Sequence, residues 1–238
     1  MCLLAVYHRT VPGAPVLVAA NREELFDRPW VGPHLDRGIL CGIDRTAGGT
    51  WLGVNQHGLL VAVTNRPCAK PPPSPRSRGL LCRDLLACRR AADAAQRAAS
   101  ELDGGRYAGA NYLCVDDESG WVVSGGDRRG LVELSGGLHL LTNGDLDDPA
   151  DDRQTLARAL LGAQPPASAQ EFAATAARVC AHERIVVRAP DRGTVSCELV
   201  ALTDDPREAI YLHAPGPPDT HTFQDCSALL QELLLLQA

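Results

Sequence analysis

The sequence predicts an α+β protein of antiparallel sheets with helices packed on them, and three features predict it. Strand-length apolar segments fill the first 65 residues, a helical stretch follows, and strands, then helices, then strands complete the chain. Strict βαβ alternation is absent, so a parallel, doubly wound sheet is not expected. The 238 residues are enough to bury a substantial core, and 45% apolar with 22% charged residues is the balance of a globular protein. A single domain over residues 1–238 is expected.

In order, CLLAVYH and PVLVAAN are strands separated by RTVPGA, whose Pro-Gly marks the turn of a hairpin. GILCGID, GTWLGVN and GLLVAVTN follow, and Asn55-Gln56-His57-Gly58 reads as the turn of a second hairpin. Residues 66–79 carry five prolines and cannot be regular structure; they form an exposed loop. Leu81, Leu85, Cys88 and Ala92 then recur at helical intervals in one helix that Gly104-Gly105 ends. NYLCVDD, WVVSGG, LVEL and GLHLLTN are strands. Two helices follow, one with Asp151 or Asp152 favouring its start, the other with Ser168 and Glu171 in a capping-box pattern. TVSCELVAL and AIYLHA are late strands, and the apolar LLQELLLLQA reads as a docked C-terminal helix.

Net charge of −6 and the lack of a Lys/Arg block argue against nucleic acid or anionic membrane as a partner. No apolar stretch approaches the roughly 20 residues that span a bilayer, and the N-terminus lacks the layout of a secretory signal. Nine scattered cysteines without a CxxC pair read as reduced thiols rather than a disulfide framework or a metal site. Of 23 basic residues only Lys70 is lysine, and this Arg-over-Lys, Ala-rich usage suggests a GC-rich bacterial genome and a cytoplasmic product. Oligomeric state leaves no mark.

Candidate chemistry starts at Cys2. Met1 is removable before a small residue, and removal would put a thiol and a free α-amine on one residue. That amine, with an ordinary pKa near 7.7–8.0, can act as base toward its own side chain. A buried strand cysteine is the plain alternative. Asn21, Arg22, Glu23 and Glu24 stand at the end of the second strand, facing either solvent or a site. Only five asparagines occur. Asn55 reads as a turn residue, whereas Asn65 and Asn143 each follow a threonine at a strand end. An asparagine amide there can donate to a developing oxyanion, a contribution of roughly 3–4 kcal/mol.

MCLLAVY, AANREELFDRP, AGGTWLGV, AVTN, YAGANYLCVD, LTN and GTVSCELVAL, in this order, resemble the NRDE family, which includes the eukaryotic transport-and-Golgi-organisation proteins. The third position of the Asn-Arg-Asp-Glu motif is Glu23 here, which keeps the carboxylate. The resemblance implies a four-layer αββα sandwich like that of N-terminal nucleophile hydrolases. It makes Cys2 the nucleophile with its own amine as base, and puts Glu23 in place of the aspartate that orients the amine. Asn65 and Asn143 match the asparagines near oxyanion and amine, with Asn21, Arg22 and Asn111 in support. The arginine that precedes the first-motif asparagine in choloylglycine hydrolases is replaced by Ala20, and their late arginine has no clear counterpart. Val195 stands where many relatives have arginine, leaving Arg184, Arg188 and Arg192 as nearby candidates.

Two functions follow from the resemblance. One is cleavage or transfer of an acyl group at a linear amide through a Cys2 thioester, with no cofactor or metal required. The other is a non-catalytic carrier on the same scaffold, for haem trafficking or acyl-lipid and acyl-CoA homeostasis. Haem would need an axial ligand; the seven histidines form no motif, and Cys2 could serve. A small-molecule amide or acyl ligand, or haem, is the expected partner.

Overall fold

The computed structural model describes residues 2–236. Met1, whose removal the catalytic reading requires, lies outside the described residues, as do Gln237 and Ala238. In chain order, β1 (Leu3–Val11) and β2 (Ala14–Leu25) lead to β3 (Trp30–Asp36), β4 (Ile39–Asp44), β5 (Leu52–Asn55) and β6 (Leu60–Asn65). Next come α1 (Arg78–Leu85) and α2 (Ala91–Asp103), then β7 (Ala110–Val115), β8 (Gly120–Gly125), β9 (Gly130–Glu133) and β10 (Gly137–Leu141). The helices α3 (Asp152–Leu161) and α4 (Ala169–Cys180) precede β11 (Arg192–Leu202), β12 (Ile210–Ala214), β13 (Gln224–Asp225) and α5 (Ser227–Leu235). Both expected hairpins are present, with Gly13 and Gly58 at positive φ in their turns. Among the described residues no helix is long and apolar enough to cross a membrane.

The described residues fall into two compact units, one running up to Arg28 and resuming over Gly136–Glu232, the other Pro29–Ser135 with residues 233–236. The first is a six-stranded antiparallel sheet in the order β10-β1-β2-β11-β12-β13. The alternate residues Leu3, Ala5, Tyr7, Leu17, Ala19, Cys197 and Leu199 face α3 and α4, where Phe172 meets Tyr7 edge-on at 6.1 Å. Such a pair adds about 0.5–1.5 kcal/mol to its area burial. Asp151 caps α3 by accepting from the Arg153 and Gln154 amides. Ser168 accepts from the Glu171 amide, while the Glu171 carboxylate reaches past it to the Ala167 amide. The expected capping box is thus shifted by one donor.

The second unit is a seven-stranded antiparallel meander in strict chain order, β3 to β9, carrying α1 and α2 over a core that includes Leu81, Leu85, Ala94, Ala98 and Tyr112. Here two expectations are corrected. The single helix after the proline-rich loop is two helices. Asn55 Nδ2 donates to the Leu86 and Cys88 carbonyls, and Asp116 accepts from the Ala91 amide. Long-range side chains thus take the backbone groups that would continue α1 into α2. The loop itself ends at Ser77, because Arg78 and Gly79 already belong to α1. β3 was hidden by Pro33; as an edge strand with a register shift between Val31 and His34 it tolerates proline. Gly49 permits the expected close backbone approach: a Cβ there would stand 2.2 Å from the Gly79 carbonyl carbon.

Each unit thus contributes one sheet and its helices. The described residues form two antiparallel sheets and five α-helices, an α+β fold.

Candidate active site

The first unit is threaded so that residues far apart in sequence meet. β1 and β2 lie at its centre, β10 flanks β1 and β11 flanks β2. Leu4 pairs with Leu141, so continuing the register by two residues sets Cys2 against Asn143. The Cys2 nitrogen donates to Asn143 Oδ1 at 2.9 Å. On the other side the Cys2 thiol donates to the Glu23 backbone carbonyl across 4.0 Å. Burial pushes that thiol up to about 11, and the Glu23 charge adds to the effect while Arg22 opposes it. At neutral pH the sulfur is therefore protonated, and its use as a nucleophile requires a base.

Asn21, Arg22 and Glu23 are not a solvated turn; all three are buried within β2. Asn21 Nδ2 donates to the carbonyl of Cys180, the last residue of α4, and so ties that helix end to the strand. Glu23 pairs with Thr194 across the sheet, next to a register shift that leaves Val195 as the extra residue of a β-bulge. Glu23 Oε1 accepts from Thr194 Oγ1 at 3.1 Å and from Arg153 Nη2 at 3.2 Å. The same Nη2 donates to the Ile185 carbonyl, and Thr194 Oγ1 accepts from the Val187 amide. Glu23 Oε2 is buried without a partner among the described residues. Burial raises the Glu23 carboxyl from an ordinary 4.5 to about 7, against the pull of Arg153 and Thr194.

Cys2, Asn21, Arg22, Glu23 and Asn143 therefore come together in the first unit. Asn65 and Asn111 belong to the second. Asn65 is exposed at the end of β6, paired through its backbone with Ala110. Asn111 is fully buried and braces three strands: its Oδ1 accepts from Ser124 Oγ at 2.8 Å and Arg66 Nη1 at 3.3 Å, and its Nδ2 donates to Thr64 Oγ1.

The arginine at the Glu23 carboxylate is Arg153. Of the three candidates near β11, Arg188 pairs with Asp219, Arg192 with its neighbour Asp191, and Arg184 is exposed. Arg153 and Thr194 escaped the sequence reading. A signal for Arg153 was present: a cation in the first turn of α3 opposes the helix dipole and calls for an anionic partner.

Residues 1–191 match the model of the family Transport and Golgi organisation 2. The chain belongs to that family. It is 33% identical over 148 residues to the Transport and Golgi organization 2 homolog of Mus musculus, and 30% identical over 146 residues to that of Bos taurus. Each match takes in 56% of this chain and 52% of the relative, so the chain spans about half the length of the curated relatives it matches. Among solved structures, it is similar to a Caenorhabditis elegans ortholog of N-acylethanolamine-hydrolyzing acid amidase, with a TM-score of 0.58 at 14% identity, covering 85% of this chain and 94% of that one. It is also similar to a cysteine-to-alanine mutant of the conjugated bile acid hydrolase from Clostridium perfringens, with a TM-score of 0.54 at 10% identity, covering 96% and 93%. At these identities the likeness is one of fold, and the fold is that of the N-terminal nucleophile hydrolases.

Proposed function

We propose that this member of the Transport and Golgi organisation 2 family is an N-terminal nucleophile cysteine amidohydrolase or acyltransferase acting on a linear amide. With Met1 removed, the Cys2 nitrogen is an amine that takes the thiol proton as sulfur attacks the amide carbonyl carbon. The C–N bond breaks, the proton passes to the leaving amine, and a thioester remains on Cys2. Water, or a second nucleophile, then releases the acyl group. Asn143 Oδ1 fixes the direction of the nitrogen. The buried Glu23 charge, steadied by Arg153 and Thr194, favours the ammonium that forms.

The observation that carries this reading is the 2.9 Å bond from the Cys2 nitrogen to Asn143, made beside a thiol that needs a base. The fold shared with an N-acylethanolamine-hydrolyzing acid amidase ortholog and a conjugated bile acid hydrolase supports it. The test is the intact mass of the purified protein together with thiol alkylation and hydrolysis of N-acyl amides. The expected result is loss of one methionine, preferential alkylation of Cys2, and turnover abolished in Cys2→Ala. A retained Met1, or turnover unchanged in that variant, overturns the proposal. Haem is titrated in the same preparation. A Soret shift that disappears in Cys2→Ala would favour the carrier reading, with Cys2 as axial ligand.

A further inference from the structure

The turn that carries Asn143 has no sheet partner of its own, because β10 ends at Leu141. Asp147, near its far end, is tied back to β10 through Leu140 and His139, and one glutamine of α3 reaches the turn on both sides of Asn143. Gln154, in the first turn of α3, is 2% exposed. Its Nε2 donates to Thr142 Oγ1 at 3.2 Å and to the Asp145 carbonyl at 2.9 Å, and its Oε1 accepts from the Asp148 amide at 2.9 Å. These bonds reach the turn on both sides of Asn143. The helix end is itself anchored there, since Asp151, the cap of α3, also accepts from the Thr142 hydroxyl. An adjacent residue pair on one helical turn therefore serves two parts of the site: Arg153 holds Glu23, and Gln154 holds the Asn143 turn.

We infer that Gln154 is a positioning residue that sets Asn143 Oδ1 against the Cys2 nitrogen. The inference rests on the proposed role of Cys2 for its catalytic meaning, whereas the clamp itself is a matter of geometry. A core glutamine kept only for stability would need no more than satisfied amide groups. This one makes its three hydrogen bonds within residues 142–148, around a single functional amide.

The test compares the wild type with Gln154→Met, which keeps the length of the side chain and removes its hydrogen bonds. Gln154→Glu, which keeps the acceptor for Asp148, takes its place if the first variant does not fold. Iodoacetamide alkylation of Cys2 is followed against pH by peptide mass spectrometry, with the partly exposed Cys68 of the second unit as internal reference. Backbone hydrogen exchange of residues 142–148 is followed alongside. The expected result is faster exchange in the turn, a displaced Cys2 pH profile with alkylation at pH 7 slowed about tenfold, the scale of one lost hydrogen bond, and an unchanged Cys68. An unchanged Cys2 profile in a folded variant, or a parallel change at Cys2 and Cys68, overturns the inference. If the purified protein retains Met1, the catalytic reading fails on its own. The Cys2 nitrogen is then an amide whose exchange reports the same bond: acceleration in Gln154→Met supports the clamp, and no change overturns it.

Discussion

Both units bury asparagines in polar clusters, and they differ in what is left over. In the second unit Asn111 uses both ends of its amide, and Asn55 receives two backbone amides while donating to two carbonyls. In the first unit Asn21 Oδ1 and Glu23 Oε2 are buried with no partner among the described residues. Leaving such an atom unsatisfied costs about 1–3 kcal/mol. A cluster that serves only to hold strands together gains nothing from that cost, whereas a site that must meet a charge formed during turnover keeps acceptors in reserve. The satisfied cluster is architecture; the unsatisfied one is the place to look for chemistry.

The sharpest way to break this contrast is Arg153→Met. It leaves the Glu23 carboxylate, whose side chain is 1% exposed, without its cation. Removing one partner of a buried pair is destabilising. Glu23, with its carboxyl at about 7, can take up a proton instead of staying charged, so urea denaturation at pH 8 should show a loss on the order of 1.4 kcal/mol. At pH 5, where Glu23 is protonated in the folded state, the loss should be much smaller. Equal losses at the two pH values would mean that the carboxylate is not held as a charge.

Glu23→Gln probes the same group with the opposite sign. The folded carboxyl lies at about 7 against an ordinary 4.5, so between those values the folded state binds a proton that the unfolded state has released. The wild type should therefore lose stability as pH rises from 4.5 through 7, by on the order of 3 kcal/mol, and the glutamine variant should not. Measured as the difference between the two proteins, Glu23→Gln must gain on the wild type across that window. A flat difference would refute burial as the dominant influence on Glu23.

How much of this was legible depends on where the signal lies. Alternating apolar runs announced most strands, and Cys2 and Asn143 stood out through residue type and position, whereas Glu23 was singled out from its charged neighbours by the family resemblance alone. Arg153 did not stand out, because its partner lies 130 residues away and only the strand order β10-β1-β2-β11 brings them together. Thr194 was hidden by the bulge at Val195, since one extra residue reverses the face that simple alternation assigns. The break between α1 and α2 was equally invisible, for periodicity runs on through it. The side chains that enforce it, Asn55 and Asp116, come from other strands and turns.

Smaller effects sharpen the comparison from the second unit. Asn111→Ala strips Ser124, Thr64 and Arg66 of a shared partner and should cost about 2 kcal/mol. Since it removes no titrating group, the loss should be the same at pH 5 and pH 8, unlike that of Arg153→Met. The least effect on stability is expected at Asn65→Ala. The residue is exposed and its backbone pairing does not depend on its side chain, so denaturation should move by no more than about 0.5 kcal/mol. A larger loss would mean that the Asn65 side chain, and not only its backbone, holds the end of β6.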